Sequence, residues 1–84
     1  MRTFAQWQAD RRRSDEAAVL RAIQMLRPSH ASGWPIWRLA GIGLGRTYGA
    51  LARLEASGRV ESEWADGPHP RRRLYRVASS EVTQ

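Results

Sequence analysis

Arg46 and Arg53 stand seven residues apart in RTYGALAR. On a helix that spacing puts both guanidinium groups on one side, about 10 Å apart along the axis. Gly49 and Ala50 lie between them, and residues this small let a helix backbone approach a groove closely. An arginine fork matches phosphate oxygens and the O6 and N7 atoms of guanine. Arg46, Ala50 and Arg53 are therefore candidates for reading base edges in the major groove of double-stranded DNA, with Thr47 near the helix N-terminus beside them. A second basic group follows. Arg71, Arg72, Arg73 and Arg76 fall within six residues on a segment that alternates like a strand. Positive charge so placed suits backbone phosphates beside a groove, or the minor groove itself. Glu61 and Glu63 can pair with such arginines across strands, so Arg71 and Arg72 are expected to be free and Arg73 or Arg76 paired. The plainer reading of both groups is a solvated charged surface.

Composition bears on that choice. The 84 residues hold 14 basic and 8 acidic side chains, for a formal net charge of +6. Every basic residue is arginine. A GC-rich coding sequence would explain the missing lysine equally well, but not the net charge, which points to an anionic partner. Other chemistries are poorly provided for. There is no cysteine, which removes disulfides and thiolate metal sites. His30 and His69 sit in loop-like stretches, with no second ligand at helical spacing. No nucleophile–base pair or carboxylate cluster stands out. GIGLG follows no strand and lacks the lysine and hydroxyl of a phosphate loop. An enzyme is not expected, nor a cofactor or metal. No run of about 18 apolar residues exists to cross a membrane. MRTFAQWQADRRR lacks the apolar segment of a signal peptide, so a cytoplasmic protein is expected.

The elements that must position the arginines can be read from caps and periodicity. In residues 1–13, Phe4, Trp7 and Arg11 fall on one helical face, and the segment reads either as a short amphipathic helix or as a frayed arm. Ser14 is a good N-cap for a first helix, with Asp15 and Glu16 in the first turn where the dipole favours them. Val19, Ala22, Ile23 and Leu26 form its apolar face, and Pro28 stops it near Arg27. PSHASG reads as a loop. Pro35 suits the first turn of a short second helix that buries Ile36, Leu39 and Ala40 and ends at Gly41. GIGLG is then a tight corner between crossing helices. A third helix spans about Leu44 to Ser57, with Leu44, Tyr48, Leu51 and Leu54 facing inward and Gly58 just past its end. RVESEW and RRLYRVA alternate about a turn rich in glycine and proline, which makes a hairpin. Val60, Ser62 and Trp64 share one face of its first strand, Tyr75 and Val77 one face of its second. An isolated hairpin is not stable, so it must lie on the helices. The expected fold is α+β: a winged helix-turn-helix of three helices and a two-stranded β-wing over residues 14–78, with a tail at 79–84. Trp34 and Trp64 are expected in or beside the core; Trp7 and Trp37 are the ones that could be exposed.

TYGALARLEASGRVESEW followed by PRRRLYRV resembles the PadR family of bacterial winged-helix transcriptional regulators. The residues that carry the resemblance are Tyr48, Leu51, Arg53, Leu54, Glu55, Gly58, Glu61, Ser62, Trp64, Pro70, Arg71, Arg72, Tyr75 and Val77, with SGWPI upstream. It covers about residues 17 to 78, and the order and spacing of the pieces make it specific. It implies a DNA-binding regulator. Gly43 stands where the family often has a serine that caps the third helix and touches phosphate, and Thr47 where an aliphatic residue is usual. Members dimerise through C-terminal helices, and some bind planar aromatic effectors at that interface. The chain is expected to be a minimal form without those helices, so neither property is carried over. The spare element for a homodimer is the N-terminal segment with Phe4 and Trp7. Two competing functions remain. One is a winged-helix module for protein contact, such as a phage or mobile-element factor. The other is nucleic-acid binding through charge alone.

Overall fold

The computed structural model describes residues 1–26, 31–65 and 73–78. The first helix is opened by Thr3. Its hydroxyl accepts from the Gln6 backbone N–H at 3.1 Å, and Gln6 Oε1 accepts from the Thr3 N–H at 2.8 Å, a reciprocal capping box. From there α1 runs unbroken over Phe4–Met25. The expected start at Ser14 is therefore corrected: Ser14 lies inside the helix. Alanine, glutamine and arginine between Thr3 and Ser14 are strong helix formers, and no glycine or proline interrupts them. Asp15 and Glu16 are accordingly mid-helix residues, not dipole partners of a first turn.

The short strand β1, Ala31–Ser32, replaces part of the expected loop. It leads directly into α2, Gly33–Ala40, which ends at Gly41 with φ of 75°. That left-handed conformation is one glycine adopts without a Cβ penalty. Pro35 occupies the first turn as expected. Ile36 is fully buried, whereas Leu39 is exposed, contrary to expectation. α3 spans Leu44–Ala56. Its end is a Schellman motif: the Gly58 N–H donates to the Glu55 carbonyl at 3.1 Å and the Arg59 N–H to the Leu54 carbonyl at 3.0 Å. Gly58, at φ 80°, turns the chain into β2, Val60–Trp64.

β2 pairs antiparallel with β3, Arg73–Val77, in the register Val60↔Val77, Ser62↔Tyr75 and Trp64↔Arg73. The alternation read from the sequence is thus correct. β3 also pairs antiparallel with β1, with Ala31 opposite Tyr75. The sheet has three strands in the order β1-β3-β2, one more than the expected pair. Arg71 and Arg72 lie outside the described residues.

The core gathers Val19, Ala22 and Ile23 of α1, Ile36 of α2, Ala50, Leu51 and Leu54 of α3, and Val60, Tyr75 and Val77 of the sheet. On α1 the buried positions begin at Asp15; before it, only Asp10 is even partly covered. The N-terminal half of the helix projects beyond the core, and the molecule measures 51 Å along its longest axis. Among the described residues, no helix is long and apolar enough to cross a membrane.

Candidate nucleic-acid interface

α3 buries Thr47, Ala50, Leu51 and Leu54. This face is rotated from the one expected. Leu44 and Tyr48 are 51% and 44% exposed, while Thr47 and Ala50 are sealed in the core. Thr47 is accommodated because its hydroxyl donates to the Gly43 carbonyl at 2.9 Å, so no polar group is left unmatched. Both residues are thereby removed as base-reading candidates: neither reaches the surface. The outward side of α3 is instead a stripe of Gly45, Gly49, Ala52 and Ala56. It leaves the helix backbone close to anything docked there.

Arg46 and Arg53 flank this stripe on the α1 side, and both are tethered. Arg46 Nη2 donates to Asp15 Oδ1 at 2.6 Å and its Nε to Oδ2 at 3.1 Å. Asp15 is buried, and the hydrogen bonds from Arg46 hold its carboxyl below the usual aspartate range, against the opposing effect of burial. Arg53 Nε donates to Glu16 Oε2 at 2.7 Å. The two acids read from the sequence as a helix dipole pair instead fix the two arginines of α3 against α1. Each guanidinium keeps N–H groups beyond those bonds, and each side chain remains partly exposed.

Tyr48 and Arg73 flank the other side. Arg73 Nε donates to Ser62 Oγ at 2.8 Å and its Nη2 to Glu55 Oε2 at 3.1 Å, while its guanidinium lies 5.2 Å from the Trp64 ring centre. Glu55 has a lowered pKa, first through its hydrogen bond from Ser62 and then through Arg73. Arg76 pairs with Glu61 across the strands at 2.8 Å. So both described wing arginines are paired, Arg73 with a helix residue that the strand pattern gave no reason to choose. Trp64 and Trp34 are 49% and 59% exposed, so of the two places expected for them, in the core or beside it, the first is excluded. Trp64 shares the inward face of β2 but stands opposite Arg73, past the positions the core covers. Trp37 is half-buried, with its ring edge-on to Trp34 at 6.5 Å.

Two concavities border α3. A cleft of about 270 Å³ separates it from the N-terminal half of α1 and is lined by Trp7, Arg11, Arg12, Asp15, Gly45, Arg46, Gly49 and Arg53, among others. A groove of about 600 Å³ on the wing side is lined by Gly33, Trp34, Pro35, Tyr48, Arg73 and Tyr75 with Ser32. The structure therefore brings Arg46 and Arg53 together on one flank and sets Arg73 on the other. The sequence reading did not place Asp15, Glu16, Tyr48, Arg11 or Arg12 beside the outward side of α3. One signal was available: Asp15 lies four residues before Val19, on the apolar face of its helix, where an unpaired acid would be costly.

No family model matches the sequence, and no curated protein matches it. Solved structures do. The chain resembles a padr family transcriptional regulator from Eggerthella lenta DSM 2243, at 26% identity and a TM-score of 0.64, over 93% of this chain and 71% of that one. It resembles a transcriptional regulator from Clostridium thermocellum at 24% identity and a TM-score of 0.60, over 89% and 75% of the two chains. A protein from Streptococcus mutans UA159 matches at 18% identity and a TM-score of 0.66, over 81% and 68%. The Eggerthella lenta protein is named as a transcriptional regulator, in keeping with the expectation that this chain is not an enzyme. Three helices, a small antiparallel sheet and these neighbours together give the chain a PadR-like winged-helix fold.

Proposed function

We propose that the chain is a cytoplasmic, sequence-specific DNA-binding transcriptional regulator. The observation that carries this reading is the outward side of α3: a stripe of small residues between Arg46 and Arg53 on one flank and Tyr48 and Arg73 on the other. In this reading α3 enters the major groove. Its glycines and alanines admit the backbone, and Ala52 meets thymine methyl groups. Arg46 and Arg53 use the N–H groups left over from Asp15 and Glu16 for base edges or phosphate oxygens. The wing, with Arg71, Arg72 and Arg73, follows the backbone or the minor groove. A homodimer through the N-terminal segment would pair two such units on an inverted repeat.

The test is selection of bound duplexes from a random library at about 150 mM salt, where non-specific binding is weak. An enriched inverted repeat is expected. Retention without enrichment would favour binding by charge alone, and no retention would favour the protein-contact module.

A further inference from the structure

We infer that the N-terminal half of α1 is a second DNA-gripping arm, in which Arg11 and Arg12 bind a backbone phosphate across the cleft from α3. The inference rests on the regulator reading above. The packed face of α1 runs through Ile23, Ala22, Val19, Ala18 and Asp15. One turn further towards the N-terminus the same face continues as Arg12 and Arg11, and there it looks across open space at Gly45, Arg46, Gly49 and Arg53. A helix face that had no partner of its own would be expected to carry mixed polar residues. This one carries two adjacent cations facing two more.

The charges do not cancel. Asp15 and Glu16 are committed to Arg46 and Arg53. Arg11 and Arg12 form no salt bridge with any described carboxylate, although Arg13 beside them is paired with Asp10. The Arg11 guanidinium lies 5.3 Å from the Trp7 ring centre, an approach that leaves its charge in place. The cleft therefore holds two positive charges in excess, suited to the phosphodiester of a nucleic-acid strand. Its position argues for DNA held on α3 as the source. A helix about 10–12 Å across fills a major groove about 12 Å wide, so both backbone strands run along the flanks of α3. The wing occupies one flank and α1 the other.

The deciding experiment measures affinity for the selected duplex over a series of salt concentrations. It compares the wild type with Arg11→Ala/Arg12→Ala, with Arg11→Lys/Arg12→Lys, and with Arg13→Ala as a control on the same exposed helix. Alanine and lysine keep helix propensity high, so the fold is preserved. The double alanine variant is expected to flatten the slope of log K against log salt by about 0.9 for each phosphate that is no longer neutralised, without changing the preferred sequence. The lysine variant should keep most of the slope, because phosphate is read there as charge. A double alanine slope equal to that of Arg13→Ala overturns the arm alone. A wild-type chain that retains no duplex overturns the regulator reading, and the arm with it.

Discussion

Arg46 and Asp15 share an ion pair on unequal terms. The arginine side chain is 41% exposed and the aspartate 6%. Losing the arginine strands a buried carboxylate, whereas losing the carboxylate returns a guanidinium to water. Arg46→Gln is therefore expected to destabilise the fold, because it leaves the buried Asp15 carboxylate without its charge partner. Asp15→Ala should cost less, and urea midpoints of the two variants compare them directly. The difference depends on pH in a definite sense. The hydrogen bonds from Arg46 lower the folded-state pKa of Asp15. Their contribution is full above the unfolded aspartate value, near 3.9, and is lost as pH falls through the lower folded value. Stability curves of the wild type and Arg46→Gln should be separated at neutral pH and converge below about pH 4. Curves that stay parallel into acid would mean that the pair contributes nothing to folding. Arg53 bears on recognition instead: Arg53→Ala is expected to weaken specific DNA binding by about 1–3 kcal/mol and relax the sequence preference at one position.

Among the elements, α3 depends on a contact made by a residue with no side chain. A Cβ at Gly33 would run into the Tyr48 hydroxyl and ring. Gly33→Ala must therefore swing the half-exposed Tyr48 ring off α2, at an expected cost of about 0.5–1.5 kcal/mol. Trimming the neighbour as well should recover most of it, so a double-mutant cycle with Tyr48→Ala should show strong coupling. Additive losses would place the damage elsewhere. The same helix marks how far the sequence could be read. Its ends were legible, because Gly58 and the corner at Gly43 answer to local backbone chemistry. The strands were legible too, since Val60, Tyr75 and Val77 alternate with charge. The inward face of α3 was not. Leu44 and Tyr48 outrank Thr47 and Ala50 in hydrophobicity, but close packing of α3 on α1 and α2 favours small residues where the helices meet. The threonine hydroxyl, satisfied by the carbonyl of Gly43, costs nothing to bury there. Arg46 and Arg53 stood out by their spacing, yet their tethering to Asp15 and Glu16 spans two helices and leaves no mark in local periodicity.

For the whole molecule, the projecting half of α1 sets the arrangement of parts. Phe4 and Trp7 are 71% and 47% exposed and stack on one another at 5.9 Å, offering an apolar pair to a second copy. The full chain is expected to sediment as a dimer and a chain lacking residues 1–12 as a monomer; the same number of chains per particle in both would sink the dimer role. The sheet has a different consequence, which concerns synthesis. Its central strand, β3, is the last described element, and β1 and β2 touch it but not each other. On the ribosome both edges therefore emerge before the strand that joins them. Helices can form as they appear, but the distant pairing of Ala31 with Tyr75 waits for residue 77, and non-local contacts of this kind close late. A nascent chain halted before Arg73 should remain open to protease and unfold without a cooperative transition. Emergence of β3 should then lock helices and sheet in one step, which makes the arrival of that strand, not the formation of the helices, the event that commits the domain to its fold.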